Sequence, residues 1–350
     1  MIIIQVSWNT KPEYLKAFPI MNRRKLLKNG LMAGALSFVP FSGVLAVTQT
    51  LPKYSEEDLS AFKKIKLGGL DLFILTDGYI HETNVNTFSP RADVPQLKAL
   101  LRDYFRSDTY VDMAMNLMLV KTKDRLVLLD SGMGIFADER TGFLLKSLQK
   151  AGFSPKDITD VFISHAHPDH IGGVVDKQNK LVFPNADLYI SKIEYDFWLQ
   201  ASIKDFKNSF LKEEPEFLNQ VIPPIQNILK TIRPKLKFYD FNKPLYEHFS
   251  FQLAPGHTPG LTMVTISSDN EKLLYIADLI HSDVILFPHP EWGFSGDTDL
   301  DIATESRKKL LRQLAETKTK AFAYHLPWPG LGFAKKKDAA YEWIPESFMN

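Results

Sequence analysis

One short segment constrains this chain more than any other. Ser164-His165-Ala166-His167-Pro168-Asp169-His170 directly follows an apolar run that is typical of a buried strand. Imidazole and carboxylate groups are ligands for zinc and similar ions, and four of them lie here within six positions. Pro168 lacks an N–H and fixes φ, so it should end the strand and turn Asp169 and His170 back toward the same point. A lone histidine is usually structural, but this density favours a metal site, and with more distant ligands it could fill two adjacent sites.

The rest of the chain supplies such distant candidates at the ends of further predicted strands. His257 follows the strand 249–253, Asp278 ends the strand 272–277, and His325 ends the strand 321–324, which we expect to be the last strand. α/β sheets place their sites just beyond the carboxyl ends of strands, so these residues are expected to converge. Strands and helices alternate in both halves, which predicts an α/β sandwich of two sheets with helices on both outer faces. We expect one catalytic domain over 54–350, with a helical insertion around 201–233 and a turn at 76–78 that includes Asp77.

Composition narrows the chemistry further. The chain has 350 residues and no cysteine, which excludes disulfides, thiolate ligands and a cysteine nucleophile. Any metal site must therefore use His and carboxylate ligands, which suits zinc, manganese, iron or cobalt. Residues 1–46 hold six basic residues and one acidic residue, which leaves a net charge of −4 for residues 47–350. This mildly acidic body argues against a nucleic-acid partner.

The N-terminus has the pattern of an export signal. Asn22-Arg23-Arg24-Lys25 precedes an uncharged apolar run, which ends in small residues at Ala46. Paired arginines before a modestly apolar segment resemble a twin-arginine signal, although Asn22 and Leu26 depart from its usual pattern. We expect cleavage near Ala46, export by the twin-arginine machinery and a periplasmic enzyme, with an uncleaved membrane anchor as the alternative. Met21 is an alternative start to Met1.

The strand-end residues together resemble the motifs of the metallo-β-lactamase-fold hydrolases. His165-Ala166-His167-Pro168-Asp169-His170 matches the HxHxDH motif, and His257, Asp278 and His325 match the later motifs in order. The resemblance implies an αββα sandwich of two mixed β-sheets. It also implies two divalent ions, zinc in the first place, with one held by His165, His167 and His257 and the other by Asp169, His170 and His325. Asp278 would bridge the ions together with a hydroxide, which makes Asp169 and Asp278 the catalytic carboxylates.

Asp130 is expected to support this site from outside. It ends a strand in a glycine-bearing loop and corresponds to an early aspartate motif of the family. Metal-bound histidines usually donate their second N–H to a carboxylate, which is the role predicted here. The alternative is an aspartate that only caps a turn. His281, three residues after Asp278, is a further candidate near the site, although a packing role is the more common one.

The substrate is less constrained than the metal site. Segments such as 277–281, 287–292 and 325–330 resemble the branch that contains methyl parathion hydrolase and related exported lactonases and esterases. That resemblance implies a small hydrophobic ester-like substrate: a lactone, a carboxylester or a phosphotriester. Aromatic residues near the ligand-bearing segments are candidates for the pocket wall, with core packing as the alternative role. They are Phe88, Phe197, Trp198, Trp292 and Phe294.

Other functions stay open at this stage. A β-lactamase or a thioesterase could use the same two-metal site. A periplasmic metal-binding protein without catalysis is the non-enzymatic alternative, but ligands from four strand ends favour catalysis. A homodimer is one option for the assembly.

Overall fold

The computed structural model describes residues 59–347, and the predicted signal segment with its cleavage near Ala46 lies outside them. The described strands are β1 Phe62–Leu67, β2 Leu70–Glu82, β3 Val111–Lys121, β4 Leu126–Leu129, β5 Asp160–Phe162, β6 Asp187–Ile190, β7 Leu236–Phe238, β8 Phe249–Leu253, β9 Thr262–Ser268, β10 Glu271–Tyr275, β11 Lys320–Phe322, β12 Leu331–Lys337 and β13 Ala340–Pro345. The α-helices are α1 Val94–Asp103, α2 Leu144–Lys150, α3 Pro168–Ile171, α4 Lys192–Gln200, α5 Pro215–Ile232 and α6 Leu300–Thr317.

The strands form two mixed sheets, as the sequence predicts. The first sheet has the order β1-β2-β3-β4-β5-β6-β7, and the second has the order β13-β12-β11-β10-β9-β8. Strands β4 to β7 run parallel to one another, and all four residues of β4 are buried, as expected for a parallel strand covered on both faces. Helix α2 packs on β2 and α6 packs on β12, so each sheet carries helices. The predicted αββα sandwich is confirmed.

Several element boundaries differ from the sequence expectation. The apolar run 158–164 predicts a strand up to the metal loop, but β5 spans only Asp160–Phe162. The sequence pattern predicts helices over 192–200 and 301–317. Helix α4 has the first of these ranges, and α6 begins one residue early because Asp299 caps it by accepting hydrogen bonds from the backbone N–H groups of Asp301 and Ile302. The prediction of a last strand ending at His325 was wrong, since the hairpin of β12 and β13 follows and completes the second sheet.

The predicted turn at 76–78 was also wrong. Strand β2 runs through these residues, and its register with β3 shifts between Thr76 and Tyr79, which marks a β-bulge. Asp77 is buried there and accepts hydrogen bonds from the backbone N–H groups of Met133 (2.8 Å) and Leu144 (2.6 Å). Burial raises the pKa of Asp77 to about 7. The side chain thus joins three chain segments beneath the loop that follows β4.

The insertion at 201–233 is helical. Two short 3-10 turns precede α5, which has Pro215 in its first turn and contains Pro223 and Pro224. One face of α5 is apolar and buried, and this burial stabilises a helix that two internal prolines weaken. Among residues 59–347 no helix is long and apolar enough to cross a membrane.

Candidate metal centre

The loop after β5 brings its four ligand-type residues together through a short helix. Helix α3 begins at Pro168, whose missing N–H costs nothing in the first turn, and His167 is its N-cap residue. The N–H of His170 donates to the carbonyl of His167 at 3.0 Å. The change of direction expected at Pro168 is therefore a helix start. Gly173 follows so closely under the 131–133 loop that a Cβ there would lie 1.9 Å from the Ser131 carbonyl oxygen.

One group of ligand atoms forms around His257. His165, His167, His257 and Asp278 each offer an atom, and these atoms lie within 4.8 Å of one another. Asp278 Oδ2 is 3.6 Å from His165 Nε2 and 3.4 Å from His257 Nε2. His165, His257 and Asp278 are buried, while His167 is half-buried. This arrangement could hold one ion with three imidazoles and one carboxylate.

A second group shares Asp278 with the first. Asp169, His170, Asp278 and His325 also place their ligand atoms within 4.8 Å of one another. His170 Nε2 lies 3.1 Å from Asp278 Oδ1, and His325 Nε2 lies 3.1 Å from Asp278 Oδ2. His325 Nε2 is also 3.2 Å from Asp169 Oδ2. The seven residues that the sequence selected therefore form two adjacent groups with one shared carboxylate.

Asp130 supports the second group from behind. It follows β4 with φ +61°, and its carboxylate accepts hydrogen bonds from the backbone N–H of Ser164 (2.7 Å) and from His170 Nδ1 (2.9 Å). Tyr275 O–H donates to the same carboxylate. Because a carboxylate only accepts, His170 Nδ1 carries the proton and its Nε2 lone pair can serve as a ligand. Asp130 therefore contacts His170 and Ser164 across 34 to 40 positions of the chain, and its supporting role for a bound ion stays a prediction.

Asp297 plays the corresponding part for His257, although no pattern in the sequence predicts it. His257 Nδ1 donates to Asp297 Oδ1 at 3.0 Å, and Arg307 Nη2 on α6 lies 3.1 Å from Asp297 Oδ2. All three side chains are buried, and Arg307 Nε and Nη1 donate to the carbonyls of Leu279 and Pro290. Asp297 lies in a loop without a recognisable spacing. Only its distant partners mark it, so no signal in the sequence selects it.

The electrostatics of the two groups depend on burial and on the carboxylates. Burial lowers the pKa of His165 well below its usual value. Burial opposes charge on His325 as well, but the Asp278 and Asp169 carboxylates outweigh it and raise the pKa of His325 to about 9. Burial would raise the pKa of Asp278, yet His170 and His325 hold it well below its usual value. The shared carboxylate is therefore anionic at neutral pH and attracts cations.

His281 also faces this site. Its Nε2 lies 3.3 Å from Asp278 Oδ2, its ring stacks on Phe294 with centroids 3.7 Å apart, and neither ring nitrogen has a hydrogen-bond partner. Burial lowers the pKa of His281 to about 3, so the imidazole is neutral at pH 7. A neutral buried imidazole with unsatisfied nitrogens is free to hydrogen-bond a ligand. From the sequence, packing is the more common role for a residue such as His281, and only the structure shows its unpaired nitrogens beside Asp278.

The five predicted pocket aromatics differ in how near they come to the two groups. The Trp198 ring meets the His167 ring at 5.7 Å, and the Phe294 ring lies 6.0 Å from the His257 ring. Phe88 is buried behind Phe294, and Phe197 neighbours Trp198 on α4. Trp292 instead stacks on His289 at 3.9 Å. Of the five, Trp198 and Phe294 are thus the ones whose rings contact ligand histidines.

A cavity of about 280 Å³ adjoins His281 and His325. Its other lining residues come from the 101–112 segment, from residues 282–284 and from Pro327. Arg106 and Asp283 form an ion pair there with a 2.8 Å separation. No motif in the sequence predicts that the 101–112 segment lines a pocket.

Comparison with known proteins gives a consistent assignment. A family model described as the metallo-beta-lactamase superfamily matches residues 113–325. The solved structure of AidC, a dizinc quorum-quenching lactonase in complex with the product N-hexanoyl-L-homoserine, is 76% identical, covers 84% of this chain and 100% of its own, and has a TM-score of 0.83. The crystal structure of the hydrolase AbOPH is 26% identical, covers 83% of this chain and 99% of its own, and has a TM-score of 0.75.

A curated relative matches less of its length. The probable RNase MJ4 of Methanocaldococcus jannaschii is 28% identical over 187 residues, which is 52% of this chain. The chain spans only 40% of the length of that relative.

Proposed function

This chain belongs to the metallo-β-lactamase superfamily of hydrolases, and from that premise we propose that it opens the ring of N-acyl-homoserine lactones with two bound zinc ions. The observation that carries the substrate class is the 76% identity to a dizinc quorum-quenching lactonase over that protein's whole length. In the reaction, water adds to the ring carbonyl carbon, the ring C–O bond breaks, and the released oxygen takes up a proton. The product is an N-acyl-homoserine.

The residues present fit a pair of metal ions. The Nε2 atoms of His165, His170 and His257 and the Oδ1 atom of Asp278 are buried without a hydrogen-bond partner. Unpaired buried polar atoms are costly, and four of them within the two adjacent ligand groups are what a site for cations would leave in the absence of ions. The donor set of imidazoles and carboxylates suits zinc and accepts manganese, iron or cobalt. We propose His165, His167 and His257 for one ion, Asp169, His170 and His325 for the other, and Asp278 for both.

When bound, two such ions would supply an acidified water and stabilise the oxyanion that develops on the carbonyl oxygen. The side chains around them orient the ligands and the substrate. Asp130 and Asp297 hold the Nδ1 protons of His170 and His257, which fixes the ring orientation of both. Neutral His281 can donate one hydrogen bond to a substrate oxygen beside Asp278. Asp169 and Asp278 are anionic, so they offset part of the charge of two divalent ions.

An apolar substrate fits the surroundings of these groups. Trp198 and Phe294 place aromatic rings against His167 and His257, which favours an acyl chain over a phosphate monoester. A β-lactam, a thioester or a phosphotriester would have to satisfy the same wall, and each is an outcome of the test below.

The test is metal analysis followed by a substrate panel on the purified protein. The panel contains acyl-homoserine lactones of increasing chain length, p-nitrophenyl esters, an acyl thioester, methyl parathion and a chromogenic cephalosporin. We expect two zinc ions per chain and fastest turnover of a lactone, with loss of turnover after chelation and recovery with zinc. One ion per chain without turnover of any substrate would support the metal-binding protein instead. A faster rate on another class would replace the lactone proposal.

We also propose that residues 1–46 direct export to the periplasm by the twin-arginine route. The support is the Arg23-Arg24 pair before an uncharged run that ends in small residues at Ala46. Replacing both arginines by lysine, in cells that express the full chain, should retain the protein in the cytoplasm. Unchanged periplasmic activity in that variant would contradict the proposal.

A further inference from the structure

Glu194 is a fully buried carboxylate on helix α4 that no ligand group includes. An isolated buried charge is costly, and an apolar side chain would pack this helix face without that cost. A carboxylate at this position therefore indicates a role other than packing.

Its two oxygens accept from three separate places. Oε1 accepts the backbone N–H of Ala166 at 2.9 Å and the indole N–H of Trp198 at 2.7 Å. Oε2 accepts the backbone N–H of Gly260 at 2.8 Å. Ala166 lies between His165 and His167, and Gly260 is three residues after His257. One side chain thus joins the two loops that supply the three histidines of the first ligand group.

The backbone at Gly260 is shaped for this contact. A Cβ at residue 260 would lie 2.2 Å from the Glu194 backbone nitrogen and 2.6 Å from its Cα. Only glycine allows the His257 loop to approach α4 this closely. The close approach is a second observation, independent of the hydrogen bonds, that the loop is held against this one residue.

We propose that Glu194 is a positioning residue that fixes the spacing between His257 and the His165–His167 pair, and with it the zinc affinity of that group. The same carboxylate holds Trp198, whose ring lies against His167, so it also couples the proposed acyl-binding wall to the metal group. The inference rests on the proposed two-zinc site and adds a residue that touches neither metal nor substrate.

The test variant is Glu194→Gln, which keeps the shape and removes one acceptor. The remaining oxygen can still accept from Ala166 and Trp198. The amide NH₂ then faces the Gly260 N–H, and because both groups are donors they cannot bond, which displaces the His257 loop. Mutating a residue that orients metal ligands typically lowers the metal affinity about 10- to 100-fold. We expect a loss of that size for one of the two zinc ions in competition with a chromophoric chelator, with the other ion within twofold of wild type.

Two further readouts separate positioning from general stability. The rise in melting temperature on adding zinc should shrink in E194Q, because it reports the binding free energy rather than the stability of the zinc-free chain. With cobalt in place of zinc, E194Q should keep one tightly bound cobalt ion. The visible spectrum of that ion should match the spectrum of the ion that remains in His257→Ala, because both changes weaken the same ligand group. Asp196→Asn is the matched control, because Asp196 lies two residues along the same helix and pairs with exposed Lys192. It should change neither readout.

Distinct outcomes overturn distinct claims. If wild type binds two zinc ions and E194Q binds both equally well, or loses both equally, the inference about Glu194 is wrong and the two-zinc site stands. If wild type binds no zinc, the proposed function fails and this inference fails with it. Should E194Q not fold, hydrogen exchange of the zinc-free wild type decides: the Ala166 and Gly260 amides should be protected, and exchange at free-amide rates would refute the positioning role.

Discussion

Replacing Asp297 by asparagine should damage one metal group selectively. Asp297 Oδ1 accepts from His257 Nδ1, while Oδ2 accepts from Arg307 Nη2 and from the Phe294 N–H at 3.1 Å. Asparagine has one acceptor oxygen. If that oxygen turns to Arg307 and Phe294, the amide NH₂ donates to His257 Nδ1 and forces the ring proton onto Nε2, where the metal ligand should be.

The magnitude follows from these contacts in two parts. The wrong histidine tautomer should lower the affinity for one zinc ion about 10- to 100-fold, as is usual when a ligand histidine loses its carboxylate partner. That is about 1.4 to 2.7 kcal/mol. Separately, Arg307 keeps a buried charge without its carboxylate, and breaking a buried pair costs about 3 to 5 kcal/mol of folding free energy.

Two assays measure these parts independently. Chelator competition gives both zinc affinities of D297N, and urea unfolding of the zinc-free protein gives its stability. Asp301→Asn, an exposed aspartate paired with Arg91, is the control and should change neither quantity. The double variant of Asp297→Asn with Arg307→Met should lose less stability than the two single changes added together, because no charge is then left unpaired. Wild-type affinity for both ions in D297N would refute the assignment of Asp297 to His257.

Further predictions concern the shared carboxylate, the strand bulge and the aromatic wall. Asp278→Ala should lose most of its turnover and at least one of two zinc ions; a fully active variant that retains both ions would contradict the shared site. Because the folded pKa of Asp77 is raised to about 7, the folded state binds its proton more tightly than the unfolded chain. Its contribution is therefore present below about pH 4 and is lost as the pH rises through 7, by at most about 4 kcal/mol. Urea unfolding of Asp77→Asn between pH 4 and 8 should lack this decline, and an unchanged slope would count against the raised pKa. Phe294→Ala should raise KM for long-chain lactones about 3- to 10-fold with little change in kcat, the size expected for a lost aromatic contact. Equal effects on short and long chains would argue against its place in the acyl wall.

Much of the fold and the ligand set could be predicted because both depend on local chemistry. The bounds of α4 follow from its own residues and the Ser191 cap, and β4 is recognisable as a short apolar run. The ligand candidates are rare residue types at strand ends, so their identity survives errors in the strand bounds. The strand ending at Phe162 is shorter than predicted, yet His165 still lies just beyond it.

Contacts between distant segments escaped this reasoning. The hairpin of β12 and β13 was missed, and the bulge at Thr76 was taken for a turn, because only strand pairing distinguishes these cases. Of the candidate aromatics, nothing in the sequence separates Trp198, which meets His167, from Trp292, which stacks on His289.

The sequence alone determined which atoms can bind metal, since the ligand type is a property of each residue and strand ends bring the ligands to one edge. Tertiary structure decided what surrounds them. Asp297 reaches His257 from 40 positions away, and Glu194 reaches Gly260 from 66. Such carboxylates have no local pattern, because a hydrogen bond depends on the distance between two atoms and not on their separation along the chain. The residues that orient the ligands therefore become visible only after the chain has folded.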